Sequence, residues 1–293
     1  MRAKLIFILC VAMLLTSCRN ATGNIERTTD TVVDDYGRTV AVPHSPKRVV
    51  STSPAITEII FALGGEKLLV GRTEFCTYPP EAEKITNIGG ISNLNVENIV
   101  ALNPDIVISG SMIPQKSIDQ LHNMGIATVC VIEKQRFDGL YENISRIGAL
   151  IGLESQADSL NQCLHAEAEK YSQSDASQPK PSVYYVVGFG SMGNFTAGGQ
   201  SFINDIIEMA GCENVAKDIE GWNYSIETLM ERDPEYILIR REDSASFCNT
   251  YPYKRLSAVR EGRVVGINSG MIDLQVPRNF DAIRYIRSRI HKD

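Results

Sequence analysis

The chain has 293 residues, 43% of them hydrophobic and 22% charged, the balance of an ordinary globular protein. Its formal net charge of −6 argues against a nucleic-acid partner, which calls for a basic surface. The four histidines are scattered and no Cys-x-x-Cys pair occurs, so no metal ligands are assigned and a structural zinc site is not expected.

Arg2 and Lys4 open the chain with positive charge, and an uncharged apolar run follows from Leu5 to Leu15. Small residues then precede Cys18, which completes the pattern of a secretory signal. The run is too short to span a bilayer, which needs roughly 20 residues. A buried N-terminal helix is the competing reading, but the polar, turn-prone stretch after Cys18 argues against it. The tetrad Leu15-Thr16-Ser17-Cys18 resembles the lipobox of bacterial lipoproteins. That resemblance implies cleavage before Cys18 and acylation of its thiol and amine. More than one acyl chain on one residue anchors stably, where a single chain is marginal. Residues 19–30 read as a flexible tether, and the expected location is periplasmic and membrane-anchored. With Cys10 removed and Cys18 acylated, Cys76, Cys130, Cys163, Cys212 and Cys248 remain. An oxidising compartment permits bridges, but an odd number cannot all pair.

About 275 residues follow the signal, enough for one large domain or two small ones. Thr31 to Val42 reads as a hairpin about the turn Asp35-Tyr36-Gly37. Arg48 to Ser51 is a strand ending at Ser53-Pro54, and a helix from Ala55 to Leu63 is closed by Gly64-Gly65. The next strand is Leu68 to Gly71. Val96 to Leu102 is a helix stopped at Asn103-Pro104, before the strand Ile106 to Ile108. A helix from Ile118 to Met124 ends at Gly125 and leads into the strand Ala127 to Ile132. Strands alternating with helices predict an α/β fold with a largely parallel sheet. Leu140 to Ile151 is an amphipathic helix. Glu154 to Ser172 is a long polar one, spanning about 28 Å. A breaker stretch at Ser172 to Pro181 precedes a new strand, Ser182 to Val187.

The second half repeats the first. Asn93 to Ile108 aligns without gaps on Asn223 to Leu238, matching Glu97 with Glu227 and Pro104 with Pro234. Thr57 to Glu66 likewise matches Asn204 to Glu213. Two generic helix–strand units would look alike too, but matched residue types favour two copies of one lobe. The expected architecture is two similar Rossmann-like α/β lobes with largely parallel sheets, joined by one long rigid helix. The boundaries read as a signal at 1–17, a tether and hairpin at 18–43, a lobe at 44–152, the connecting helix at 153–178 and a second lobe at 179–293. Ligands of open α/β sheets bind beyond the carboxyl ends of the strands, so two facing lobes make a cleft.

Four segments together resemble a known family: Arg48 to Glu58, Tyr78-Pro79-Pro80-Glu81, Val96 to Asp105 and Phe195-Thr196-Ala197-Gly198. The family is the helical-backbone, metal-chelate-binding proteins of ABC importers, and the resemblance covers about residues 30 to 290. It implies little hinge closure, no enzymatic activity and no cofactor. It also implies a monomer that carries a small metal chelate to an ABC permease at the inner membrane. Cobalamin receptors are the most similar branch, and receptors for iron–siderophores or haem are the alternative. A secreted enzyme on the same scaffold is a remote third, because Ser51, Ser53 and Ser191 lie in no nucleophile elbow.

The resemblance places Ser53, Pro54, Phe75, Tyr78, Ile91, Phe189, Phe195, Trp222 and Arg278 in the ligand site. Phe75 stands for a tyrosine and Ile91 for a tryptophan of the cobalamin receptors. Aromatics are mostly core residues, so each of these has a plain structural alternative. Trp222 is the only tryptophan, and a loop position suits stacking on a macrocycle. Arg278, after Pro277, offers a guanidinium fork for polar or anionic ligand groups. For haem, Tyr78 or Tyr224 is the candidate axial ligand. Glu97 and Glu227, one per copy, are implied to dock on permease arginines. Alternatively each carboxylate simply favours the first turn of its helix. Gly188 to Gly193 matches Gly-x-Gly-x-x-Gly, but its helix starts only near Ser201. The segment therefore reads as a cleft-lining loop rather than a dinucleotide site.

Overall fold

The computed structural model of the chain describes residues 29–174, 179–191 and 193–291; Cys18, the signal and most of the tether lie outside them. Strands β1 (Thr29–Val33) and β2 (Thr39–Pro43) form an antiparallel hairpin. The first lobe carries β3 (Val49–Ser51), β4 (Leu69–Arg72), β5 (Ile106–Ser109) and β6 (Ala127–Cys130), all parallel, in the order β4-β3-β5-β6. The second carries β7 (Ser182–Val186), β8 (Glu213–Asn214), β9 (Tyr236–Arg240) and β10 (Val264–Ile267), again parallel, in the order β8-β7-β9-β10. Both sheets thus share one topology, with the second strand outside the first and the third and fourth on its other side.

The duplication extends to single backbone angles. The paired helices Val96–Ala101 and Ile226–Arg232 are each capped by a side chain, Asn95 or Ser225, accepting from a backbone amide three residues on. Each is followed by a non-glycine residue in the left-handed region, Asn103 at φ 45° and Asp233 at φ 37°, just before the matched prolines. Asn and Asp tolerate that region better than other side chains, which explains why these two types close the two helices.

Parallel strands covered on both faces read as continuous apolar runs. Val49, Ile106 and Ile108 face one core, while Val50 and Val107 face another with Ile118 and Leu121. The first of these cores does not stop at the lobe. It continues through Ile144 and Ile147 to Val183, Ile206, Leu238, Phe280 and Ile283 of the second lobe. At the seam the rings of Phe137 and Phe280 meet edge to face at 5.5 Å. The Phe137 amide donates to Asp205 at 2.8 Å. Gln275 accepts from the Lys134 amide and donates to the carbonyl of Arg136. Hinge opening would expose this shared apolar surface, so the fold opposes large movement of one lobe against the other.

The connecting helix runs Glu154–Ser174, two residues past its expected end. It packs closely on the helix Gly139–Ile151, because a Cβ on Gly148 would lie 2.6 Å from that of Ala157. Elsewhere the expected elements shift by one to three residues. The largest change is the helix Gln115–Asn123, which starts before Ile118, directly after Pro114.

Candidate functional site

Residues that follow the carboxyl ends of β3, β4, β6, β7 and β10 line the inter-lobe crevice. Its first cavity, about 370 Å³, is lined by Pro54, Glu58, Phe75 and Tyr78 from the first lobe and by Ser269 and Arg278 from the second. A second cavity, about 470 Å³, is lined by Glu133, Gln135, Gly198, Glu220, Trp222 and Asp273. Consecutive residues, Asp273 and Leu274, line one cavity each and bring the two side by side.

The aromatic loop after β4 is held from below. The buried Arg72 guanidinium donates to the carbonyl oxygens of Thr73, Ala82 and Glu83. Cys76 is fully buried against Thr73. With its base pinned, the loop presents Phe75 at 55% exposure and Tyr78 at 41%; Trp222, in the adjoining cavity, is 49% exposed. Large apolar rings left in water on concave walls mark a surface built to be covered.

Arg278 reaches across the lobes. Its Nε and Nη2 donate to the two carboxylate oxygens of Glu58 at 2.6 and 2.7 Å, and its guanidinium lies over the Tyr78 ring. Burial pushes the Glu58 carboxyl upward, and the facing guanidinium pulls it back. The expected anion-binding arginine therefore already holds a carboxylate of the protein itself. Glu58 belongs to the site, but it closes the family segment Arg48 to Glu58 without having been expected there. It sits among apolar neighbours on the helix Pro54–Ala62, 220 residues from its partner.

The other expected residues divide. Ser53, half-buried, abuts Gly110 where β3 and β5 end; a Cβ on Gly110 would lie 3.0 Å from that of Ser53. Phe195 lies half-buried over the glycines of the Gly-x-Gly-x-x-Gly segment, its ring 3.0–3.1 Å from where a Cβ of Gly188 or Gly193 would stand. Those glycines accommodate a ring, and the following helix begins only at Phe202. Phe189 packs on Phe247 and Tyr253 at the edge of the second lobe's own core. Ile91 is half-buried in the loop before Leu94 and lines neither cavity described above. Tyr224 is buried and gives its hydroxyl to the Val215 carbonyl, which leaves Tyr78 as the cleft phenol.

Glu97 and Glu227 are exposed at the second position of their equivalent helices. Hydrogen bonds from its own amide and from the Ser225 hydroxyl hold the Glu227 carboxyl below its ordinary value. The five described cysteines are all free thiols. Among the described residues no helix is long and apolar enough to cross a membrane, and no group of three His, Cys, Asp or Glu could hold a metal ion.

Comparison with known proteins agrees with this geometry. An ABC-transporter substrate-binding lipoprotein of Bacillus subtilis, itself uncharacterised, is 26% identical, covering 98% of this chain and 96% of its own. The cobalamin-binding protein of Halobacterium salinarum is 27% identical, covering 88% and 73%. The crystal structure of a periplasmic haem-binding protein from Pseudomonas aeruginosa superposes with a TM-score of 0.73 at 26% identity, covering 83% and 92%. A sequence profile described as periplasmic binding protein matches residues 49–270, which includes both sheets and most of the crevice. The chain therefore belongs to the periplasmic binding protein family.

Proposed function

We propose that this chain is the substrate-binding lipoprotein of an ABC importer, and that it captures a corrinoid in the crevice and passes it to the permease. The observation that carries the reading is that Phe75 and Tyr78 of the first lobe and Trp222 of the second, all exposed, line two adjoining cavities between the lobes. Flat apolar rings along a crevice suit a macrocycle better than a small sugar or amino acid. The similarity to a cobalamin-binding protein supports the same ligand class. Cys18 carries the lipid anchor in this reading, and the chain acts as a monomer. Glu97 and Glu227, one on each lobe, pair with permease cations in a contact strengthened by the tether's high effective concentration.

Titration of the full chain in detergent with cyanocobalamin tests the ligand. Saturable binding at micromolar concentration or tighter is expected, with quenching of Trp222 fluorescence. No binding at that concentration overturns the corrinoid assignment. Metabolic labelling with a fatty acid tests the anchor, and the label should be lost in Cys18→Ser.

Haem is the second reading, favoured by one observation: Tyr78 presents its phenol in the cleft beside Arg278. A tyrosinate can hold haem iron. A shifted Soret band on mixing, lost in Tyr78→Phe, would favour haem over the corrinoid.

A further inference from the structure

The charges of the crevice are arranged unevenly. The two cations that line its cavities, Arg278 and Lys134, each already have a carboxylate partner. Arg278 is held by Glu58 through two hydrogen bonds. Lys134, which lines the same cavity as Trp222, is held by Asp35 at 2.9 Å. Arg240, behind the wall, is bound to Asp273 at 2.9 Å. Glu133 is different. It is half-buried, lines the cavity beside Trp222, and has no hydrogen-bond or ion-pair partner among the described residues. Burial pushes its carboxyl upward with no opposing cation.

An unpaired carboxylate half out of water is costly unless something donates to it. A ligand that brings N–H donors relieves that cost. A ligand that brings carboxylates adds like-charge repulsion and finds no uncommitted cation on these walls to meet it. We propose that Glu133 is a specificity-determining residue: it accepts a hydrogen bond from an amide on the ligand's rim, so that the crevice takes amide-rimmed chelates and rejects carboxylate-rimmed ones. This deepens the corrinoid reading and rests on it. Corrinoid side chains end in amides, whereas haem carries propionates.

The experiment compares macrocycles that differ only at the rim. The full chain in detergent is titrated with dicyanocobinamide and with dicyanocobyrinic acid, and separately with haem and haem dimethyl ester. Glu133→Gln is measured alongside. The amide corrinoid should bind about tenfold tighter than the acid or better, and Glu133→Gln should narrow that ratio about threefold or more. The ester should outbind free haem if porphyrins bind at all. Equal or tighter binding of the carboxylate member overturns the proposal, as does a ratio that Glu133→Gln leaves unchanged. Silence of both corrinoids with binding of a porphyrin removes the corrinoid reading; the porphyrin pair then decides the charge rule. Silence of all four overturns both. The melting temperature guards against a structural role. It should hold or rise in Glu133→Gln, because an unpaired charge is removed, and a clear fall would show a structural partner and overturn the assignment.

Discussion

The guanidinium carbon of Arg278 lies 3.5 Å from the centre of the Tyr78 ring, so the second lobe's cation roofs the first lobe's aromatic. Glu58 closes the arrangement from the side, and three residues from three separate segments form one inter-lobe clasp.

Removing the cation from that clasp should be costly. Arg278→Ala leaves the Glu58 carboxylate buried without a partner, and a loss of about 3–5 kcal/mol is expected. In a domain pair of this size that corresponds to a fall of roughly 10 °C in melting temperature. Arg278→Lys should recover only part of it, since an ammonium cannot form the paired fork or lie flat on the ring. Calorimetric melting of the three proteins checks the order.

Glu58→Gln should act on selectivity more than on stability. It leaves the shape of the clasp but frees the Arg278 charge toward the cavity. Affinity for carboxylate-bearing chelates such as cobyrinic acid should rise relative to their amide forms. An unchanged ratio would show that Arg278 does not face the ligand.

Trp222→Ala should separate binding from folding. The ring is half-exposed, so stability should change by about 0.5 kcal/mol or less. Ligand affinity should fall about ten- to hundredfold, or 1.4–2.7 kcal/mol. Fluorescence titration is not available for this variant, so calorimetry is the measurement.

Glu97→Ala combined with Glu227→Ala should reduce ligand uptake by cells about tenfold while the dissociation constant stays unchanged. Transport of labelled ligand and calorimetry on the same protein check the two halves. A weakened affinity with normal uptake per bound ligand would assign these carboxylates to the cleft.

Acid should first loosen the N-terminal hairpin. Burial alone would raise the carboxyls of Asp34 and Asp35. Hydrogen bonds to Asp34 from the Arg38 side chain and amide and the Cys130 amide outweigh it, as do those to Asp35 from Lys134, the Ile132 amide and Arg146. Both values lie below the ordinary 3.8. Their stabilisation is therefore complete above that pH and is lost as pH falls through the lowered values. Asp35→Asn should lower the melting temperature at neutral pH, with the difference from the unaltered chain shrinking below about pH 4.

The lobes, their order and their kinship were legible in the amino-acid sequence. A parallel sheet buried on both faces leaves apolar runs such as Arg48 to Ser51 and Ile106 to Ile108, and Pro104 and Pro234 mark the matched helix ends. The sequence also singled out Phe75, Tyr78 and Trp222, which the fold leaves exposed on the walls of the inter-lobe cavities. The pairing of Glu58 with Arg278 and the isolation of Glu133 were not legible. A carboxylate's partner, or its want of one, is decided by what the chain brings near it, and local sequence says nothing of that.

The amino-acid sequence by itself determined two duplicated α/β lobes and a polar helix between them, because periodicity and helix stops act over a few residues. Only the tertiary structure decided that one core runs through both lobes and that Arg278 is already claimed by Glu58. It likewise decided that Glu133 stands unpaired beside Trp222. These are contacts between segments up to 220 residues apart, and their energies depend on distance and burial, which exist only once the chain has folded.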